Sequence, residues 1–294
     1  MMLHTIQNAY LTVTAEESGA QLCSILSADG TEYLWQGHEN YWTRRAPNLF
    51  PFVGRLNQGY YLSEGQSYQM KIHGIAPYRD FRLISNNGTK MVLELTSDEE
   101  TLAQYPRQFA FRVIYELSDS TLKICYEVEN RDQKTMHFGL GGHPGFNVPL
   151  APGKKFEDYR LRFGEVVDCR EVILSPDCFV TDQTRPFPME DGCSLPLRHE
   201  MFDNDAIVLT NMASSITLET DGDGHGVTVT YPQMDYLGLW HKPHSDAPYV
   251  CIEPWCSLPS TSGVITVLEE KADLIPLEPN AVYQNHWSIC IHQG

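Results

Sequence analysis

Apolar and polar residues alternate with a period of two along most of the chain, the pattern of strands that bury one face. Tyr10-Leu11-Thr12-Val13-Thr14 is the first such run, followed by residues 20–26, an Asp29-Gly30 turn and Tyr33-Leu34-Trp35. Phe109, Phe111, Val113, Tyr115 and Leu117 alternate with Ala110, Arg112, Ile114 and Glu116, and after an Asp119-Ser120 turn Leu122, Ile124, Tyr126 and Val128 alternate again. That pair predicts a long hairpin. Further strands are expected over residues 68–72, 135–140, 206–209, 216–219, 227–230, 237–240, 249–253 and 282–291. One short helix is expected, because Ser97-Asp98-Glu99-Glu100 has the form of a capping box and helix-compatible residues run on until Pro106. Residues 42–59, with four Pro or Gly, read as an ordered loop over one end of the sheets, and residues 151–200 as loops and short edge strands. With neither repeat nor linker, the expectation is one all-β sandwich domain over residues 1–294, with mostly antiparallel strands and very little helix.

Composition narrows the partners. The 21 basic and 38 acidic residues give a formal net charge of -17, a field that repels phosphate backbones and anionic headgroups. Neither nucleic acid nor membrane is an expected partner, and an anionic small substrate would need a local arginine cluster. No cationic leader opens the chain and no apolar run approaches the roughly 20 residues that span a bilayer. A soluble cytoplasmic protein, monomer or homodimer, is expected. The eight cysteines are dispersed without a CxxC pair and read as reduced thiols, with Cys125 and Cys251 as small buried hydrophobes.

Four positions carry candidate chemistry. In Leu140-Gly141-Gly142-His143-Pro144-Gly145-Phe146-Asn147, a histidine is held between a glycine that permits close backbone approach and a proline of fixed φ. Alone, this stretch reads as a turn leaving a central strand. His73-Gly74 is a second histidine at a strand end, also a turn if taken singly. Glu253 ends an apolar strand and precedes Pro254-Trp255, a setting in which burial raises a carboxyl toward the range of a general base. Asp205, in Phe202-Asp203-Asn204-Asp205-Ala206, stands at the mouth of a strand and is equally an Asx turn or a ligand. Asp221-Gly222-Asp223-Gly224-His225-Gly226 lacks the twelfth-position Glu of a calcium loop and reads as a hairpin turn. His241-Lys242-Pro243-His244 lacks a third ligand and reads as a solvated loop. Nucleotide, flavin, serine-hydrolase and zinc-peptidase motifs are all missing, so neither cofactor nor metal is expected.

Read in order, Asn48-Leu49-Phe50-Pro51-Phe52-Val53-Gly54-Arg55, His73-Gly74, Gly142-His143-Pro144-Gly145-Phe146-Asn147, Asn204-Asp205-Ala206 and Cys251-Ile252-Glu253-Pro254-Trp255 resemble the signatures of the aldose 1-epimerase (galactose mutarotase) superfamily, most closely its LacX-like branch. The resemblance implies a β-supersandwich and cofactor-free interconversion of the α and β anomers of a hexose, the sugar being the small-molecule partner. It implies Glu253 as the base that takes the anomeric hydroxyl proton and His143 as the acid that protonates the ring oxygen, the two set at opposite sides of one hemiacetal. It gives His73, Asp205 and Arg55 the role of holding sugar hydroxyls or the ring oxygen. Trp240 and Trp255 are open to two readings, a face for the pyranose or core. Two departures stand out. Arg55 is followed by Leu56-Asn57-Gln58 in place of a further Asn-Arg pair, and Pro77 stands where relatives acting on hexose 6-phosphates tend to carry an arginine. A phosphorylated hexose therefore rests on Arg44, Arg45 and Arg79. A non-catalytic sugar binder is the remaining alternative; a glycosidase using Glu253 and Asp205 would leave the histidines idle.

Overall fold

A computed structural model describes residues 2–294. Its strands pair antiparallel in two large sheets and three small ones. The larger sheet has nine strands with Val282–His292 in the middle, and beside it lies the expected hairpin, Thr121–Asn130 with Phe109–Ser118, followed by Lys90–Thr96. The eight-stranded sheet runs from Val180–Pro186 through Arg170–Leu174, Ile207–Thr210, Tyr236–Trp240 and Tyr249–Trp255 to the two-residue strands Gly141–Gly142 and Asn48–Leu49, with Gly145–Asn147 also paired to Tyr249–Trp255.

The two sheets meet through one aromatic and aliphatic core. A few polar contacts fix how they meet. Tyr126 Oη, from the larger sheet, donates to Asn48 Oδ1 at 2.8 Å and lies 3.2 Å from the Gly141 carbonyl, and Asn48 Nδ2 donates to the Gly19 and Ala20 carbonyls. A buried amide with its partners in place locks the register between layers, since leaving it unpaired would cost about 1–3 kcal/mol. The strand Tyr249–Trp255 is buried over its whole length. Val250 and Ile252 enter the core between the sheets; Tyr249, Cys251, Glu253 and Trp255 face the other way, under the loop of residues 36–55. Cover on both faces explains the unbroken apolar run with a single carboxylate in it.

Local departures from the sequence reading have physical causes. Tyr33-Leu34-Trp35 forms no strand, only isolated bridges from Glu32 to Leu26 and Leu34 to Phe146, because Trp35 turns into the aromatic cluster under the loop. The helix is a single turn, Glu99–Leu102, and its cap is Asp98 paired reciprocally with Thr101, one residue beyond the expected Ser97. Within residues 151–200, Tyr159–Phe163 is an interior strand of the nine-stranded sheet, its Tyr159, Leu161 and Phe163 in the core, not an edge. Cys251 is buried as expected, whereas Cys125 is only half-buried, on the outward face of its strand; all eight cysteines are unpaired. The Asp221–Gly226 stretch is the expected hairpin turn, between Ser215–Thr220 and Gly226–Thr230. Among the described residues no helix is long and apolar enough to cross a membrane.

Candidate active site

Glu253 is not at a strand end, because its strand continues through Trp255. It lies in mid-strand, 1% exposed. Gly141 pairs with Trp255 and Gly145 with Cys251. Continuing that register sets His143 directly opposite Glu253, on the same face, the closest relation two antiparallel strands offer. Their side chains meet, His143 Nε2 lying 3.2 Å from Glu253 Oε2. On the other flank Glu253 pairs with Gly238, whose bare face is covered by the Trp255 ring.

The glycines around His143 are needed for close approach. A Cβ on Gly141 would lie 2.7 Å from Trp255 Cδ1, and one on Gly142 would lie 2.5 Å from Trp287 Cζ2. Trp287 is buried in the core and cannot swing aside. Gly142→Ala is therefore expected to destabilise the protein by about 1–3 kcal/mol through overpacking, read as a lowered midpoint in urea, and to displace His143. An unchanged midpoint would show that the core yields there.

Both members of the pair are out of water. Burial pushes the Glu253 carboxyl well above 4.5, helped by the Asp205 charge and weakly opposed by the nearby Trp255 N–H. Burial likewise pulls the His143 imidazole well below 6.5, with His73 and Arg44 adding to the effect. Both shifts favour the neutral forms, which together carry one proton for the 3.2 Å contact. His143 Nδ1 and Trp255 Nε1 are buried without a hydrogen-bond partner.

Above the pair opens a cavity of about 440 Å³ that brings together the residues expected to act on or hold a sugar: His143, Glu253, His73, Asp205, Arg55, Trp240 and Trp255 all line it. His73 adopts φ +66°, a left-handed conformation costly for a non-glycine residue, and its Nδ1 accepts from the Gly54 N–H at 3.1 Å. That bond leaves the proton on Nε2 and makes His73 a donor. Burial, with Arg44 and Arg55 nearby, pulls its pKa to about 3, so it stays neutral. Asp205 also has a positive φ, +73°; its Oδ1 accepts from the Ala206 N–H, and its Oδ2 from the Cys178 thiol at 2.9 Å. Trp255 is largely buried against Gly238 and serves as wall and core at once, while Trp240 is half-buried.

The arginines divide. Arg44 lines the cavity, donating Nη1 to the Pro77 carbonyl at 2.9 Å and lying over the Tyr78 ring. Arg79 is paired with Asp98 and Glu100, and Arg45 donates Nε to the Gln36 carbonyl; neither is part of the cavity wall. His241 is not solvated. It is fully buried, its Nδ1 donates to the Lys242 carbonyl at 2.7 Å, and its Nε2 accepts from His199 Nδ1 at 3.1 Å. Wall residues not selected from the sequence are Trp42, Tyr78, Leu174 and Cys178. Trp42 had the one available signal, a large aromatic beside two arginines in a loop rich in Pro and Gly.

His143, Cys251 and Glu253 offer a nitrogen, a sulfur and an oxygen within 4.8 Å of one another. Burial pushes the Cys251 thiol well above 9.0 and so keeps it protonated when no cation is bound.

The buried histidines carry a stability signature. An unfolded chain protonates them near pH 6.5, whereas the native state holds His73 neutral to about 3, His241 to about 4, and His143 well below 6.5. Stability is thus expected to fall as pH drops below 6.5, by up to about 1.4 kcal/mol per pH unit for each group. Thermal unfolding across this range checks it, with a shallower slope expected for His241→Gln. A transition temperature constant from pH 7 to pH 5 would contradict it.

Comparison with known proteins points in one direction. The family model for aldose 1-epimerase matches residues 2–290. The protein LacX of Lactococcus lactis subsp. lactis is 33% identical over 97% of this chain and 98% of its own length. A galactose mutarotase related enzyme from Lactobacillus acidophilus superposes with a TM-score of 0.94 at 31% identity, covering 99% of this chain and 98% of that one. A galactose mutarotase-like protein from Lactobacillus casei does so with the same TM-score and identity, over 99% and 100%.

Proposed function

The chain belongs to the aldose 1-epimerase family, and on that footing we propose that it interconverts the α and β anomers of a free hexose without a cofactor, using Glu253 and His143 as its acid–base pair. The observation that carries this reading is the 3.2 Å contact between the two side chains at the floor of the cavity. The hydroxyl oxygen on C1 and the ring oxygen are both one bond from the same carbon. An acid and a base acting on them belong side by side, as here, and not at opposite sides of the hemiacetal.

In the reactive arrangement the shared proton has moved to His143, leaving Glu253 as carboxylate. Glu253 takes the hydroxyl proton, the O–H electrons form the C1 carbonyl, and the bond from C1 to the ring oxygen breaks as that oxygen takes the proton from His143. Rotation about C1–C2 presents the other face of the aldehyde, and closure returns both protons to their starting places. The N–H of His73 and the carboxylate of Asp205 are suited to hold sugar oxygens, with Arg55 at the rim and Trp240 offering an apolar face.

A second reading, a hexose 6-phosphate, is favoured by the cations at the rim. Arg44 and Arg55 line the cavity, and Lys71 joins Arg44 over the Tyr78 ring. Polarimetry of fresh α-glucose, α-galactose and α-glucose 6-phosphate separates the two. Acceleration of a free hexose, little changed in Arg44→Ala, is the expected result. Acceleration of the phosphorylated sugar alone, lost in Arg44→Ala, would replace the free hexose with the phosphate.

A further inference from the structure

The His143 imidazole is the last ring of an aromatic ladder. Trp35 stacks on Tyr249 with centroids 4.7 Å apart, Tyr249 lies 5.9 Å from Trp42, and Trp42 stacks on His143 at 4.8 Å, each pair within 30° of parallel. The ladder is anchored at several points. The Trp42 carbonyl accepts from both Trp35 Nε1 at 2.8 Å and the His38 N–H at 2.9 Å, and the Tyr249 hydroxyl accepts from the Lys242 N–H. A Cβ on Gly145 would lie 3.2 Å from Trp42 Cζ3, so a glycine two residues past the histidine lets the indole reach it.

We propose that Trp42 is a positioning residue for the acid–base pair, its indole face fixing the plane of the His143 imidazole and supporting the charged form of that ring. The inference rests on the anomer-exchange reading of the site. Four groups face the imidazole from the elements packed around it: Glu253 and Cys251 from the central strand, His73 edge-on from its turn at 5.4 Å, and Arg44 from the loop. Of these only Glu253 favours an imidazolium once ionised, while desolvation, His73 and Arg44 oppose it. An indole face within about 6 Å attracts a cation through its quadrupole, and tryptophan does so best among the aromatic residues. Trp240 stands nearly perpendicular to the imidazole, at 81° with centroids 5.8 Å apart, and does not stack on it.

Trp42→Leu removes the face, and Trp42→Phe keeps a ring with a weaker quadrupole. The expected result for Trp42→Leu is a kcat lower by about 2- to 30-fold with KM unchanged, and an acid limb of the pH profile displaced to lower pH. Trp42→Phe should recover part of both. A readout independent of turnover is the NMR titration of the His143 ring, whose midpoint should fall in the order wild type, Trp42→Phe, Trp42→Leu. Should the wild type prove inactive on every aldose, the anomer-exchange reading fails while this titration still decides the role of Trp42. A rise in KM alone, or a His143 midpoint unmoved in both variants, would overturn the proposal and leave Trp42 as sugar platform or wall.

Discussion

Glu253→Gln is expected to slow anomer interconversion by about 10²–10⁴-fold, the span of general acid–base catalysis, while leaving the protein folded. The substitution keeps the shape of the side chain and a donor for His143 Nε2, but it removes the one group on the central strand able to take a proton. Glu253 is buried and its carboxyl is held well above its ordinary range, so ionising it costs the native state energy. Gln has no such cost, and the thermal midpoint of the variant should equal or exceed that of the wild type near neutral pH. Loss of activity with no loss of stability identifies a catalytic carboxylate. Full activity would place the base elsewhere, and a large drop in midpoint would make the carboxyl structural.

His143→Ala is expected to cost a similar factor and also to change the pH dependence. In the wild type, burial pulls His143 down and pushes Glu253 up, so the pair keeps one transferable proton over a broad interval. The rate should be flat through neutral pH, falling at the acid end, below 6.5, where the pair gains a second proton, and at the alkaline end where it loses the first. Without His143 only Glu253 remains, and the residual rate should rise with pH as that carboxyl ionises, a single limb in place of a plateau. A plateau retained in the variant would mean that another group delivers the proton. The flanking glycines make room for Trp255 and Trp287 whether or not the imidazole is there, so the variant should remain folded.

The hairpin of Phe109–Ser118 and Thr121–Asn130 and the predominance of antiparallel strands were legible because each strand alternates and its turn is local. The candidate site was legible in part: the residues picked out for chemistry, apart from Arg45 and Arg79, line one cavity. What the sequence could not show is that His143 stands opposite Glu253. That follows from a register between strands more than a hundred residues apart, set by Gly141 against Trp255 and Gly145 against Cys251, and local pattern says nothing about long-range pairing. Glu253 looked like a strand end because Pro254 follows it, yet the strand runs through that proline. Pro254 sits beside Leu237 in the ladder, and Trp255 beyond it pairs with Tyr236. Trp42 and Cys178 were hidden for a related reason. Loop residues join a wall through the tertiary path of the loop, and neither periodicity nor motif marks that path.

The most direct test of acid–base catalysis by this pair is exchange NMR of the anomeric protons of glucose and galactose at equilibrium, with and without protein. Expected are exchange cross-peaks between the α and β signals that build up with wild-type concentration and are absent with Glu253→Gln at equal concentration. Cross-peaks no stronger with the wild type than in buffer, for these sugars and for glucose 6-phosphate, would contradict it and leave a sandwich that binds sugars without turning them over.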